Sequence, residues 1–218
     1  MINIIFLGAP GSGKGTQAAL LAKDLNIPNI STGEILRKEV EQNSEIGKLA
    51  KSYMSTGQLV PDQIIIDIIK KCLAQTDCKD GFILDGFPRN LSQAQKLDEM
   101  LNQIDKKINL VFNIEVADEI IIKRISGRFS CRNCGAVYNR FFNPPKKSNI
   151  CDQCGSNNFE NRNDDKEETV LSRLKIYKEN NKKLVEFYQR KHLIYFINGL
   201  KTVPLVNSDI NEIIKKFN

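Results

Sequence analysis

Residues 8–16, Gly8-Ala9-Pro10-Gly11-Ser12-Gly13-Lys14-Gly15-Thr16, follow an apolar run at 2–7 and precede a helically spaced stretch. That context suits a phosphate cradle rather than a Gly-rich turn alone. Glycines let backbone N–H groups turn inward around phosphate oxygens, and the following helix adds its positive end. Lys14 can reach the outer phosphates as a mobile point charge. The generic pattern wants Ser or Thr directly after the lysine. Here Gly15 intervenes, so a hydroxyl near a metal is expected from Thr16, or partly from Ser12.

A second pattern is Cys131-x2-Cys134-x16-Cys151-x2-Cys154. This spacing suits a tetrahedral Zn²⁺ site, with Gly135 and Gly155 giving the tight turns that paired thiolates need. Four sulfur ligands leave no open position, so the metal is expected to be structural. Disulfides and inert thiols are the alternatives, and a reducing compartment argues against the former. Iron could also occupy such a site. Cys72 and Cys78 share no pattern, and Cys72 reads as a small buried apolar residue.

Lys outnumbers Arg 23 to 9, so the positions of the few arginines carry information. Only Arg offers a planar fork for phosphate. Phosphoryl transfer needs two phosphates in line and the moving charge neutralised, hence a second anion site. Arg37 and Arg89 are candidates; Arg89 follows the end of an apolar run, Asp85, by four residues. Asp85 itself stands where an acid can hold Mg²⁺ through water, or merely cap a turn.

These groups must be positioned by a scaffold. Apolar runs at 2–7, 81–85, 108–114 and 193–197 read as buried strands. Helical spacing covers 13–25, a stretch capped by Ser31 or Thr32 and running through Val40, then 46–55, 63–74, 91–104, 118–126 and 165–190. Ser208 or Asp209 is expected to start a closing helix. Residues 127–164 lose this periodicity and read as an insertion. Alternating strands and helices predict an α/β fold with a parallel sheet covered on both faces and ligands at the carboxyl ends of the strands. The 218 residues allow one good core, and 41% hydrophobic with 27% charged residues is ordinary for a globular chain. The net charge of +6 fits either a solvated Lys-rich surface or affinity for anions. No apolar run approaches the roughly 20 residues of a membrane span. The start lacks a basic segment and cleavage site, so no signal peptide and a cytoplasmic location are expected. No internal repeat is found, and the single histidine, His192, is given no role.

Residues 8–17 (GAPGSGKGTQ), 31–37 (STGEILR), 57–62 (GQLVPD), 85–89 (DGFPR) and 162–165 (RNDD) resemble the segments of adenylate kinases, in that family's order. The resemblance spans essentially the whole chain and includes Gly15. It implies a P-loop kinase with a central five-stranded parallel sheet flanked by helices. The core would comprise 1–30, 61–126 and 165–218, with a monophosphate-binding insertion at 31–60 and a zinc-bearing lid at 127–164. It implies reversible Mg²⁺-dependent phosphoryl transfer from ATP to AMP, giving two ADP, by a monomer. ATP binding would fall to Gly11, Ser12, Gly13, Lys14, Gly15, Thr16, Arg124, Arg128, Val137, Tyr138 and Lys201. AMP binding would fall to Thr32, Arg37, Gln58, Leu59, Val60, Gly86, Phe87, Pro88, Arg89, Gln93, Arg162 and Arg173, with Gln93 reading an adenine edge. Lys14, Asp85, Arg89, Arg128, Arg162 and Arg173 would act in catalysis.

Two rivals differ in kind. A nucleic-acid-binding zinc ribbon would use the basic charge and the knuckles, but the insertion clusters only Tyr138, Phe141 and Phe142 as aromatics. No nucleic-acid or membrane partner is therefore expected. A GTP:AMP or UMP/CMP phosphotransferase is nearer; the long lid disfavours the short-lid pyrimidine kinases.

Overall fold

A computed structural model describes residues 2–217; the side chains of Thr76 and of Asn163, within the 162–165 segment, lie outside the description. Strands β1 (Ile2–Gly8), β2 (Asn29–Ser31), β3 (Gly81–Asp85) and β4 (Leu110–Glu115) are joined through helices α1 (Lys14–Leu25), α2 (Thr32–Glu41), α3 (Glu45–Ser55), α4 (Asp62–Leu73) and α5 (Leu91–Asn102). Then come α6 (Asp118–Ser126), strands β5 (Arg128–Cys131), β6 (Val137–Asn139) and β7 (Phe159–Glu160), α7 (Glu167–Arg190), β8 (Ile194–Asn198) and α8 (Val203–Phe217).

Five strands form one parallel sheet in the order β2-β3-β1-β4-β8. Side chains alternate across it with the period of two that a strand imposes. Ile5, Leu7, Leu84 and Val111 face one way, into a core shared with α2 to α5 and α7. Ile4, Phe6, Ile83 and Phe112 face the other, against α1 and α8. Burial on both faces explains why these runs are continuously apolar.

Two readings change. Strand β2, only three residues long, was not among the expected runs. The closing helix begins at Val203, not at Ser208 or Asp209. Pro204 sits in its first turn, where the missing N–H costs no hydrogen bond.

The insertion folds as a separate antiparallel sheet, β6-β5-β7, with its own small cluster of Cys131, Ala136, Tyr138, Cys151, Phe129 and Phe159. No described helix is long and apolar enough to cross a membrane.

Candidate phosphoryl-transfer site

Parallel pairing brings the carboxyl ends of β1, β2 and β3 together. Asp85 is in register with Phe6 on one side and Ser31 on the other. The Ser31 hydroxyl does not cap α2; it donates to Asp85 Oδ2 at 3.0 Å. Asp85 is buried, and its Oδ1 has no hydrogen-bond partner among the described residues. Ser12 Oγ is likewise buried and unpartnered, whereas Thr16 is exposed in the first turn of α1. Two buried oxygens without donors beside a phosphate loop fit a hard cation such as Mg²⁺. A Cβ built on Gly15 would stand 3.1 Å from Asp85 Oδ2. The glycine that departs from the generic loop pattern therefore makes room for the carboxylate.

The cations converge on the same cleft. Lys14 Nζ donates to Ala9 O at 3.2 Å. Burial pushes its ammonium down to about 8; Asp85 opposes this, while Arg89, Arg173 and Arg128 add to it. Arg89 is open to the cleft solvent, yet its deep position, with Arg173 beside it, pushes its guanidinium down to about 10. Its Nε donates to Gly86 O at 2.8 Å, laying the fork over that glycine. Arg162 is pushed down to about 10 by burial, then by Arg128 and Arg37.

Two acids, Asp164 and Asp165, pin the remaining forks. Arg128 grips Asp165 with two nitrogens, its Nε at 2.8 Å from Oδ2. Arg173 bonds Asp164 at 2.8 Å, and Arg37 lies 3.9 Å from the same carboxylate. Burial pushes the Asp164 carboxyl up, but Arg173, Arg37, Arg128 and Arg162 hold it below its usual value. The six cations Lys14, Arg37, Arg89, Arg128, Arg162 and Arg173 face the three carboxylates of Asp85, Asp164 and Asp165. That imbalance is what a polyanion site needs. The aspartates stood in the sequence beside Arg162 without being singled out; adjacent acids in an Arg-bearing segment were the available signal.

Thr32, Gly33, Leu36, Arg37, Gln58, Leu59, Val60, Gly86, Arg89 and Gln93 line an open cleft that Arg173 and Asp164 flank. Thr32 Oγ1 donates to Gly86 O at 2.9 Å. Phe87 and Pro88 are buried behind the Gly86 turn.

On the other side of the loop, Arg124 donates to Ser12 O at 3.2 Å and Gly199 O at 2.8 Å, and lies 5.5 Å from the Phe142 ring centroid. Lys201 is exposed and pairs with Asp209 at 2.6 Å. Val137 is exposed, but Tyr138 turns its ring into the insertion's core between Phe129 and Phe159. Any nucleotide contact by Tyr138 therefore falls to its backbone.

The four cysteine sulfurs lie within 4.8 Å of one another. Cys131 and Cys154 are 3.6 Å apart, and Cys134 and Cys151 3.5 Å. Zinc–sulfur bonds of about 2.3 Å place tetrahedral ligands about 3.8 Å apart, so the set fits Zn²⁺. The two knuckles repeat one geometry: Gly135 N donates to Cys131 O and Gly155 N to Cys151 O, both at 2.9 Å. Both glycines have φ above 70°, which side chains with a Cβ rarely adopt. The Tyr138 hydroxyl accepts from Asp152 N and lies 3.4 Å from Cys151 Sγ. That contact pulls the Cys151 thiol down to about 6, toward the thiolate a metal needs.

A strand–loop–helix phosphate cradle facing a second, arginine-lined pocket defines a P-loop nucleoside monophosphate phosphotransferase. The adenylate kinase family model matches residues 6–193. Curated relatives agree. An adenylate kinase of Archaeoglobus fulgidus is 50% identical over 216 residues, 99% of each chain. One of Methanosarcina barkeri is 49% identical over 216 residues, 99% of this chain and all of its own. One of Caldicellulosiruptor bescii is 49% identical over 209 residues, 96% of this chain and 97% of its own. The chain belongs to the adenylate kinase family.

Proposed function

We propose that the enzyme transfers the terminal phosphoryl group of ATP to AMP, reversibly, with residues 8–16 holding the donor phosphates and the Thr32–Gln93 pocket holding the acceptor. The carrying observation is the convergence of Lys14 and five arginines between the two sites. Arg89 and Arg37 hold the acceptor phosphate, and Arg128, Arg162 and Arg173 neutralise the group in flight. Arg124, Val137, the Tyr138 backbone and Lys201 serve the donor base side. Residues 31–60 and 127–164 act as insertions on the core of 1–30, 61–126 and 165–218. Asp85 and Ser12 hold Mg²⁺, which supplies charge neutralisation at the phosphates. Cys131, Cys134, Cys151 and Cys154 hold a structural Zn²⁺. Free thiolate ligands suit a reducing compartment, and we place the enzyme in the cytoplasm as a monomer.

A coupled assay over a panel of donor and acceptor nucleotides tests the reading. ATP with AMP should give the highest kcat/KM; equal or better turnover with GTP as donor or with UMP or CMP as acceptor would overturn it.

Two further results are expected. Neutral lysine cannot hold a polyanion, and a bound phosphate restores Lys14 toward its ordinary value. Binding is therefore strong below pH 8 and weakens as pH rises through it. Affinity for ATP by titration calorimetry should fall about tenfold from pH 7 to 9, and Lys14→Met should flatten that slope. Gly15→Ala crowds Asp85 Oδ2. The Mg²⁺ concentration for half-maximal rate should rise several-fold, with no drop in thermal midpoint, since Ala favours a helix by about 1 kcal/mol over Gly.

A further inference from the structure

We propose that Asp62 fixes the orientation of the Gln93 amide and so makes the acceptor pocket prefer adenine to 6-oxopurines. This rests on the reading of that pocket as the monophosphate site. Gln93 is 1% exposed and lines the cleft beside Thr32 and Arg89. Its Oε1 accepts from the backbone N–H of Arg89 at 2.8 Å, and its Nε2 donates to Asp62 Oδ1 at 2.6 Å. An amide's two ends are told apart only by their partners. Here both partners have a single role: a backbone N–H only donates, and a carboxylate only accepts. Turning the amide over would set donor against donor and oxygen against carboxylate.

Asp62 is itself held. Asn90 Nδ2 lies 3.0 and 3.2 Å from its two oxygens, and Asn90 Oδ1 accepts from Gln93 N at 2.8 Å. Asp62, Asn90 and Gln93 form a closed ring, completed through the Gln93 backbone N–H, at the starts of α4 and α5. One Nε2 hydrogen and one Oε1 lone pair of Gln93 stay available. Adenine offers an amino donor beside a ring-nitrogen acceptor and can meet both. A 6-oxopurine puts a carbonyl where the amino group would be, facing Oε1. With the amide locked, that mismatch cannot be relieved by a flip. Asp62 touches no substrate in this account and is a positioning residue.

The test compares AMP with inosine monophosphate, which differs at the 6-position. Asp62→Asn keeps the shape but can present nitrogen where Asp62 presents only oxygen, so a turned amide meets one opposing partner, the Arg89 N–H, instead of two. The ratio of kcat/KM for AMP over inosine monophosphate should fall about 3–10-fold, part of the discrimination a full bidentate contact gives, carried by KM, with KM for ATP unchanged. Asn90→Ser keeps a helix cap and removes the grip on Asp62, and should shift the ratio the same way by less. If Asp62→Asn lowers stability by thermal melt, the Asn90 variant decides. An unchanged ratio, or an equal loss for both nucleotides, overturns the proposal. Gln93→Met separates this from the underlying reading. A KM for AMP raised about tenfold keeps the pocket assignment, whatever Asp62 does; an unaltered KM means the base does not sit there and both fall.

Discussion

Arg89→Lys is expected to lower kcat about 10³-fold while leaving the fold intact. The guanidinium is oriented by its Nε bond to Gly86 O, and among the described residues its two terminal nitrogens have no bonded partner. They face a solvent-accessible cleft with Arg173 and Arg37 alongside. Arg37, Arg128 and Arg173, by contrast, lie against Asp164 or Asp165. Arg89, like Arg162, is thus a fork ready to take a phosphate without first leaving a carboxylate. Lysine keeps the charge but replaces a planar fork by a point charge on a flexible stem. A loss of 10³ corresponds to about 4 kcal/mol of transition-state stabilisation, the low end for an arginine acting on a transferred phosphoryl group. Steady-state kinetics at saturating nucleotide and a thermal melt decide it. A lysine enzyme within about threefold of the parent kcat would show that charge alone suffices.

What the chain disclosed beforehand follows the physics of each signal. Long apolar runs announced the four longer sheet strands because both sheet faces are covered. Strand β2 escaped because three residues after Pro28 carry no periodicity. Ser31 looked like a helix cap, since local pattern suggests local bonding; its hydroxyl instead crosses to Asp85, 54 residues away. The closing helix starts five residues before Ser208, and Pro204 in its first turn is no obstacle to that.

The candidate site was legible in sequence where its proposed chemistry demands a rare residue: the glycine-rich loop, the scarce arginines, the cysteine pairs. It was not legible where a common residue acts through another. Asp62, Asp164 and Asp165 are ordinary acids in a chain holding 26. Only the folded arrangement shows them gripping Gln93, Arg173 and Arg128. Tyr138 shows the converse. A motif position implied nucleotide contact, yet its ring packs in the cysteine lobe.

Stripping the metal from the cysteine site is expected to melt residues 128–160 and carry turnover down with them. The lobe's buried cluster is four residues with Phe129 and Phe159 packed against it, too small to hold a fold alone. Strand β5 makes the link to chemistry. It begins at Arg128 and ends at Cys131, so about 10 Å of extended chain ties the proposed phosphate fork to the proposed metal site. Strand β7 pairs with it and ends two residues before Arg162. If a metal joins Cys131 to Cys154, its removal is expected to leave both arginines unpositioned. The protein made without added metal should hold about one equivalent of zinc. A strong chelator, or Cys151→Ser, should lower the first thermal transition by about 10 °C or more, given 2–4 °C per kcal/mol for a chain of this size. Amide exchange should rise across 128–160 and stay slow in the parallel sheet. Less than about 0.2 equivalents of metal, with chelator changing neither melting nor exchange, would mean that the aromatic trio holds the lobe and the thiols are spectators.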